Sequence, residues 1–184
     1  KCAFCHYGLA KTGTAPYRER PVEQVLEHLQ ELSCRYDCTL FYFSEDSLAP
    51  KTALKLAGAI EKSGRSWRWS TDMRPEKTLS PGRCAKLKKG GLLSAALGIE
   101  SASTRVASLI NKGITVEDAR AAVVNLAEAG VAVEAMCFTD FPTETVHEAR
   151  ATISFIKELR ENIALFICGC FDLVSGARVA LRPH

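Results

Sequence analysis

The sequence has no run long and apolar enough to cross a bilayer. Its apolar stretches at 40–43 and 164–171 fall far short of the roughly 20 residues that a spanning helix needs. It has little charge of either sign in excess. The 24 Lys and Arg against 21 Asp and Glu leave a formal net charge of +3, which gives no reason to expect nucleic acid or an anionic membrane as a partner. No targeting signal is visible, because one lysine precedes a polar, Cys-containing run. There is no linker, no low-complexity segment and no repeat, so one domain over residues 1–184 is expected. Several site motifs are missing too. No Gly-x-Gly-x-x-Gly supports a nicotinamide site, and no Gly-x-x-x-x-Gly-Lys-Ser/Thr forms a phosphate loop. Neither His-Glu-x-x-His nor Gly-x-Ser-x-Gly occurs.

What is there is a globular composition, 47% apolar and 24% charged, with eight cysteines. An even number invites a disulfide reading, but disulfide frameworks belong to short secreted chains. Cys137, Cys168 and Cys170 lie inside apolar runs, where a free thiol behaves as a small hydrophobe. Reduced core thiols in a cytoplasmic protein are therefore expected for all cysteines except Cys2 and Cys5.

The apolar pattern alternates along the chain. Residues 21–33 carry Val22, Val25, Leu26, Leu29 and Leu32 at helical spacing after Pro21. Residues 38–44, 66–71, 92–100, 131–139 and 163–171 read as strands. Residues 50–64, 80–91, 103–111, 115–130 and 144–160 read as helices. Gly64 and the Gly90-Gly91 pair act as stops, and Thr115 with Asp118 makes a capping box. Strands that alternate with helices pair in parallel. Each strand is near-continuously apolar, as strands covered on both faces tend to be. Ligands of such sheets gather at the carboxyl ends of the strands. The polar clusters 44–46, 71–74, 100–101, 139–145 and 172–176 all follow strands, which predicts one site at one rim.

Cys2 and Cys5 form a Cys-x-x-Cys pair around Phe4. Thiolates at this spacing can ligate zinc or an iron–sulfur cluster. A structural zinc needs four protein ligands, and no second pair at matching spacing occurs. Cys34 and Cys38 instead flank a helix-to-strand turn. A thioredoxin-type pair would sit at a helix N-terminus, whereas the residues after Cys5 read as a loop. The pair alone leaves its occupant open.

The rest of the chain narrows the choice. "CAFC", "LGIES", "NKGIT", "AEAGV" and "FPTET" occur in that order. In this the sequence resembles the radical S-adenosylmethionine (radical SAM) family, and within it the branch that often carries a cobalamin-binding domain. The resemblance runs over essentially the whole chain. It implies an α/β fold, a partial (β/α)6 TIM-like barrel. Cys2 and Cys5 match the second and third cysteines of the family's Cys-x-x-x-Cys-x-x-Cys. The first cysteine, and the first barrel strand, are expected before Lys1, so that this domain starts inside the cluster loop.

The resemblance further implies a 4Fe–4S cluster held by three thiolates. Its open iron is chelated by the methionine moiety of S-adenosylmethionine (SAM), which is cleaved to a 5′-deoxyadenosyl radical. Phe4, with Tyr7 behind it, would pack near the adenine. Glu45, or its neighbour Asp46, would accept from the SAM ammonium. Glu100 and Ser101 match positions that contact ribose and methionine. Lys112 would approach the SAM carboxylate, with Arg74 on the same rim. Asp140 and Thr143 stand where the commoner family form has glycine, so Asp140 either alters the backbone's approach to the ligand or adds a carboxylate to the pocket. Ala177 replaces a frequent Ser or Thr. No catalytic role is expected for His6, His28 or His147.

The activity that the resemblance implies is that of a radical SAM enzyme, one that methylates or rearranges its substrate in association with cobalamin. Its expected partners are a small-molecule or peptide substrate and an electron donor such as flavodoxin or ferredoxin. A methylthiotransferase-type enzyme and a zinc-stabilised scaffold are the alternatives.

Overall fold

In the computed structural model, which describes residues 2–5, 18–175 and 177–181, the expected strands form one parallel sheet. The strands are β1 (Leu40–Leu48), β2 (Arg68–Met73), β3 (Leu92–Glu100), β4 (Ala132–Thr139) and β5 (Leu165–Cys170). They lie side by side in chain order, each parallel to the next. The helices are α1 (Val22–Tyr36), α2 (Pro50–Ser63), α3 (Pro81–Lys89), α4 (Thr104–Ile110), α5 (Val116–Glu128), α6 (Val146–Glu158) and α7 (Arg178–Leu181).

Local chemistry sets the helix ends. Pro50 opens α2, and Gly64 closes it at φ 68°, where its N–H returns to the carbonyl of Glu61. At the start of α5 the Thr115 hydroxyl accepts from the Asp118 N–H at 3.1 Å, and the Asp118 carboxylate accepts from the Thr115 N–H at 3.0 Å. Thr145 and Glu148 build the same box on α6. Thr115→Ala is expected to cost about 1 kcal/mol. That should lower the thermal midpoint by about 2–4 °C in a chain of this size. An unchanged midpoint would mean that the box does not hold this helix end.

The main core lies between the sheet and α2, α3 and α5. It includes Ala53, Leu56 and Ile60 of α2, Trp69 and Met73 of β2, Leu97 of β3, Leu126 of α5 and Ala135 of β4. Along β2 and β4 burial alternates, so one face of each strand is sealed by helices and the other is half-exposed. This corrects the expectation of strands covered on both faces. The central strand β3 is the exception, buried on both faces from Ala95 to Ile99, whereas Tyr42 on β1 remains 62% exposed.

The cysteine expectation also needs correction. Cys84 and Cys137 are buried, but Cys34, Cys168 and Cys170 are exposed and Cys38 is half-buried. Cys168 and Cys170 belong to β5, an edge strand exposed along its whole length. Cys34 lies on the last turn of α1, which runs three residues beyond the expected Ser33 to Tyr36.

A second apolar cluster sits at the carboxyl ends of the strands. Val106 and Ile110 of α4 pack there with Phe141, Ala177 and Val179, against Ala3, Phe4, Phe138 and Phe171. It fixes the rim.

Candidate functional site

The turn that carries Cys2 and Cys5 is seated on this rim by its own backbone. The Ala3 N–H donates to the carbonyl of Ile110 at 2.7 Å, and the Ala3 carbonyl accepts from the Val179 N–H at 2.9 Å. The Cys5 N–H donates to the Cys2 carbonyl at 3.3 Å, closing the turn so that both cysteines share it. Both thiols are free and half-buried. Phe4 meets Phe138, near the end of β4, edge to face at 5.5 Å.

Two residues beyond Ile110, Lys112 reaches back to β3. Its ammonium donates to the Glu100 carboxylate and to the Gly98 carbonyl, each at 2.5 Å. The lysine side chain is 10% exposed and the glutamate 15%, so this is a largely buried ion pair. Such a pair is costly to desolvate and holds only with good geometry and extra hydrogen bonds. Both conditions are met here. The Arg74 guanidinium donates to the Lys112 carbonyl and pairs with Glu76 at 3.2 Å, so it fixes the lysine's backbone. Glu100 itself stands at φ 66°, and the β3–β4 register shifts between Gly98 and Glu100. Gly98 supplies the space: a Cβ there would lie on the Lys112 ammonium and 2.6 Å from a Glu100 oxygen.

Cys2, Cys5, Phe4, Glu100, Lys112 and Arg74 are thus brought to one rim, as the sequence predicts. Asp140 lies on the loop after β4, exposed, at φ 67°. Thr143, in the same loop, stands at φ 71°. Both positions take a backbone conformation that favours glycine, so left-handed backbone is a further reason, beside close approach, for glycine there.

Ser101 is placed differently. It is 2% exposed. Its hydroxyl accepts from the Ser103 N–H at 3.2 Å and lies 3.4 Å from the Thr152 hydroxyl. It joins the start of α4 to α6 and does not face the open rim. Tyr7 and His6 lie outside the described residues. Glu45 and Asp46 fall within β1, in the stretch where its register with β2 shifts, and their side chains also lie outside what is described. His147 is exposed, in keeping with its surface position on an amphipathic helix.

Some rim residues escape the sequence reading. Glu144 accepts from the Phe141 N–H at 3.4 Å, while its other carboxylate oxygen is buried without a partner among the described atoms. Burial raises its pKa above the usual carboxylate range, and the N–H groups of Phe141 and Asp140 partly offset this. On the half-exposed face of the sheet the Tyr42 hydroxyl donates to Asp72 at 2.7 Å. Glu134, a lone charge inside the apolar run of β4, is in register with Ala96. That lone charge was its visible signal.

The two buried thiols are not poised as metal ligands. Burial pushes Cys137 up to about 12, helped by Cys168 and Glu100 and opposed by Lys112. Burial pushes Cys84 up to about 11. Thiols so raised stay protonated near neutral pH. Among the described residues no group of three or more His, Cys, Asp or Glu side chains is arranged to hold a metal ion, and no helix is long and apolar enough to cross a membrane.

Comparison with known proteins bears on the family and the fold. The family described as the Radical SAM superfamily matches residues 1–156. An uncharacterized methyltransferase (PH0819) of Pyrococcus horikoshii is 32% identical over 167 residues, covering 90% of this chain and 36% of the relative. This chain therefore spans about a third of that relative's length. Among solved structures, the radical S-adenosylmethionine methyltransferase TsrM of Kitasatospora setae, with cobalamin and a [4Fe-4S] cluster bound, superposes with a TM-score of 0.74 at 15% identity, over 92% of this chain and 34% of that one. The cobalamin-dependent S-adenosylmethionine radical enzyme OxsB gives 0.73 at 14% identity, over 98% and 27%. The coproporphyrinogen III oxidase HemN of Escherichia coli gives 0.67 at 15%, over 97% and 43%. These likenesses establish the fold.

Proposed function

Because the chain belongs to the radical SAM superfamily of enzymes, we propose that its rim binds a 4Fe–4S cluster through Cys2 and Cys5 and presents SAM to it. One observation carries the reading. The backbone of the cysteine turn is bonded to Ile110, two residues from the lysine whose ammonium grips Glu100. The cysteine pair and a fixed pair of opposite charges are thereby both tied to the 110–112 segment.

The donor set fits such a group. Two free, half-buried cysteines lie on one turn, with Phe4 and Phe138 beside them as an apolar wall. A third thiolate, expected four residues before Cys2, would complete the ligand set and leave one iron position open. An open position separates catalytic from structural metal sites. When bound, the cluster supplies the electron that cleaves a carbon–sulfur bond of SAM.

This chain's own residues bind and orient. The Lys112 ammonium meets the SAM carboxylate, and the Glu100 carboxylate accepts from ligand hydroxyl or amino groups. Charge-assisted hydrogen bonds of this kind are about twice as strong as neutral ones. Arg74 holds the Lys112 backbone in place. Phe4 and Phe138 keep water from the reacting centre. Asp140 adds a carboxylate at the rim.

Two relatives named as cobalamin-dependent or cobalamin-bound share the fold, and one relative is named a methyltransferase. On that support the reaction is methylation of a small-molecule or peptide substrate, assisted by a cobalamin that other parts of a longer protein would bind. A flavodoxin or ferredoxin would supply the electrons.

The test is anaerobic reconstitution of the full-length protein with iron, sulfide, reductant and SAM. About four iron and four sulfide per chain are expected, with release of 5′-deoxyadenosine or S-adenosylhomocysteine. One zinc per chain and no SAM-derived product would return the scaffold alternative. A finer test uses Gly98→Ala. The atoms that its methyl meets are the free ends of Lys112 and Glu100, which can swing away. Stability should fall by about 1–3 kcal/mol, because a largely buried ion pair has to shift, while SAM affinity falls about fivefold as that pair is displaced. Titration calorimetry on the reconstituted protein separates the two effects.

A further inference from the structure

Thr143 is a β-branched residue at φ 71°, a conformation that such residues rarely adopt. Strained backbone of this kind persists only where its surroundings over-determine it. The turn closes on itself, the Glu144 N–H donating to the Phe141 carbonyl at 2.8 Å after Pro142, and one side chain from another element holds Thr143 from outside. Arg105, on α4, donates to the Thr143 hydroxyl at 3.1 Å and to the Thr143 carbonyl at 2.7 Å. Two further guanidinium contacts to the Glu148 carboxylate, both 2.7 Å, hold the arginine in place. Glu148 is itself fixed. It caps α6 through the N–H and hydroxyl of Thr145, at 2.9 and 2.8 Å, and accepts from the Ser103 hydroxyl at 3.0 Å. The planar fork makes all four of these hydrogen bonds through three nitrogens; an ammonium, with three donors on one atom, cannot make all four.

The clamped loop faces the proposed site. It carries Asp140, a second residue at positive φ, and Phe141, which is 3% exposed. Phe141 stacks on Phe138 with centroids 6.2 Å apart, and Phe138 is the ring that Phe4 packs against. A path of direct contacts thus runs from Arg105 through the loop to the cysteine turn.

We infer that Arg105 is a positioning residue: by clamping Thr143 in left-handed backbone it holds the 140–145 loop in the shape that SAM binding requires. The inference rests on the functional reading above. It differs from a stapling role, in which Arg105 merely ties α4 to α6 through Glu148. Glycine adopts the Thr143 conformation unaided. Under the clamp, Thr143→Gly therefore makes Arg105 dispensable for SAM binding. Under a staple, it does not, because glycine offers Glu148 no partner.

The experiment measures SAM affinity by calorimetry on the full-length, cluster-loaded protein. Arg105→Met is expected to raise the Kd about tenfold, and Thr143→Gly in that background to bring it back within about threefold of the parent. An unchanged Kd in Arg105→Met, or a double variant as weak as the single one, overturns the inference. If Arg105→Met does not fold, Arg105→Lys keeps the charge for Glu148 but loses the fork, and the same rescue is expected. Failure of the functional reading is told apart. A parent that binds no SAM sinks the site assignment, while the clamp is still read in thermal midpoints. Arg105→Lys should lower the midpoint less in the Thr143→Gly background; an equal drop in both backgrounds overturns the clamp.

Discussion

A full-length protein carrying Cys5→Ala is expected to leave anaerobic reconstitution without a stable cluster and with its SAM-dependent turnover lost. Removing even an outer partner of a metal ligand typically costs about 10–100-fold, so loss of a direct ligand should exceed about a hundredfold. The fold should survive. The Cys5 backbone closes a turn, its side chain is only half-buried, and the main core of Leu56, Trp69, Leu97 and Leu126 lies under the helices. Metal analysis and a thermal melt together check this. Cys168→Ala is the matched control. Cys168 is exposed on an edge strand, and its pKa is raised, by partial burial first and then by Cys170 and Glu144. Iron content there should match the parent. Equal iron in the Cys5 variant would remove that cysteine from the ligand set.

The second large effect concerns Glu100. The ion pair with Lys112 makes Glu100→Ala a compound change. It takes away a rim carboxylate, and it leaves a lysine that is 10% exposed with, among the described residues, only the Gly98 carbonyl as side-chain acceptor. Removing one partner of a buried pair costs about 3–5 kcal/mol, and the pair's residual exposure favours the lower end. Glu100→Gln separates the two consequences. The amide oxygen still accepts from Lys112, so most of the stability should remain. The charge is gone, so the Kd for SAM should rise about tenfold. Chemical denaturation and calorimetry on both variants decide the matter. A Gln variant that binds SAM like the parent but unfolds as easily as the Ala variant would make Glu100 a structural residue only.

Much of the architecture was legible in the residues. The five apolar runs gave five strands because each is bounded by helix signals such as Pro50, Gly64 and the Thr115–Asp118 box, which act locally. The rim was legible because polar clusters after successive strands can only gather at one end of a parallel sheet. Glu100 stood out as a charge directly after an apolar run. Lys112 was named only through the family resemblance, and its pairing with Glu100 was not legible, since it depends on how the chain after α4 folds back on β3.

Other features needed the third dimension. Ser101 adjoins Glu100 in sequence, yet the chain turns between them and buries its hydroxyl against Thr152. Cys137 and Cys168 look alike in their apolar runs. One faces helices and the other an open sheet edge, a difference set by strand order. The Arg105–Thr143–Glu148 clamp spans 38 and 43 positions, out of reach of local patterns. Polar Ser44, Glu45 and Asp46 concealed the continuation of β1 to Leu48, because that part of the strand is irregular.

The account is tested most directly by electron–nuclear double resonance on the reduced, reconstituted full-length protein given SAM labelled with 17O in its carboxylate and 15N in its amino group. Coupling of both nuclei to the cluster spin is the predicted result, weakened in Glu100→Gln and absent in Cys5→Ala. An intact, reducible cluster that shows no coupling to either nucleus would contradict it.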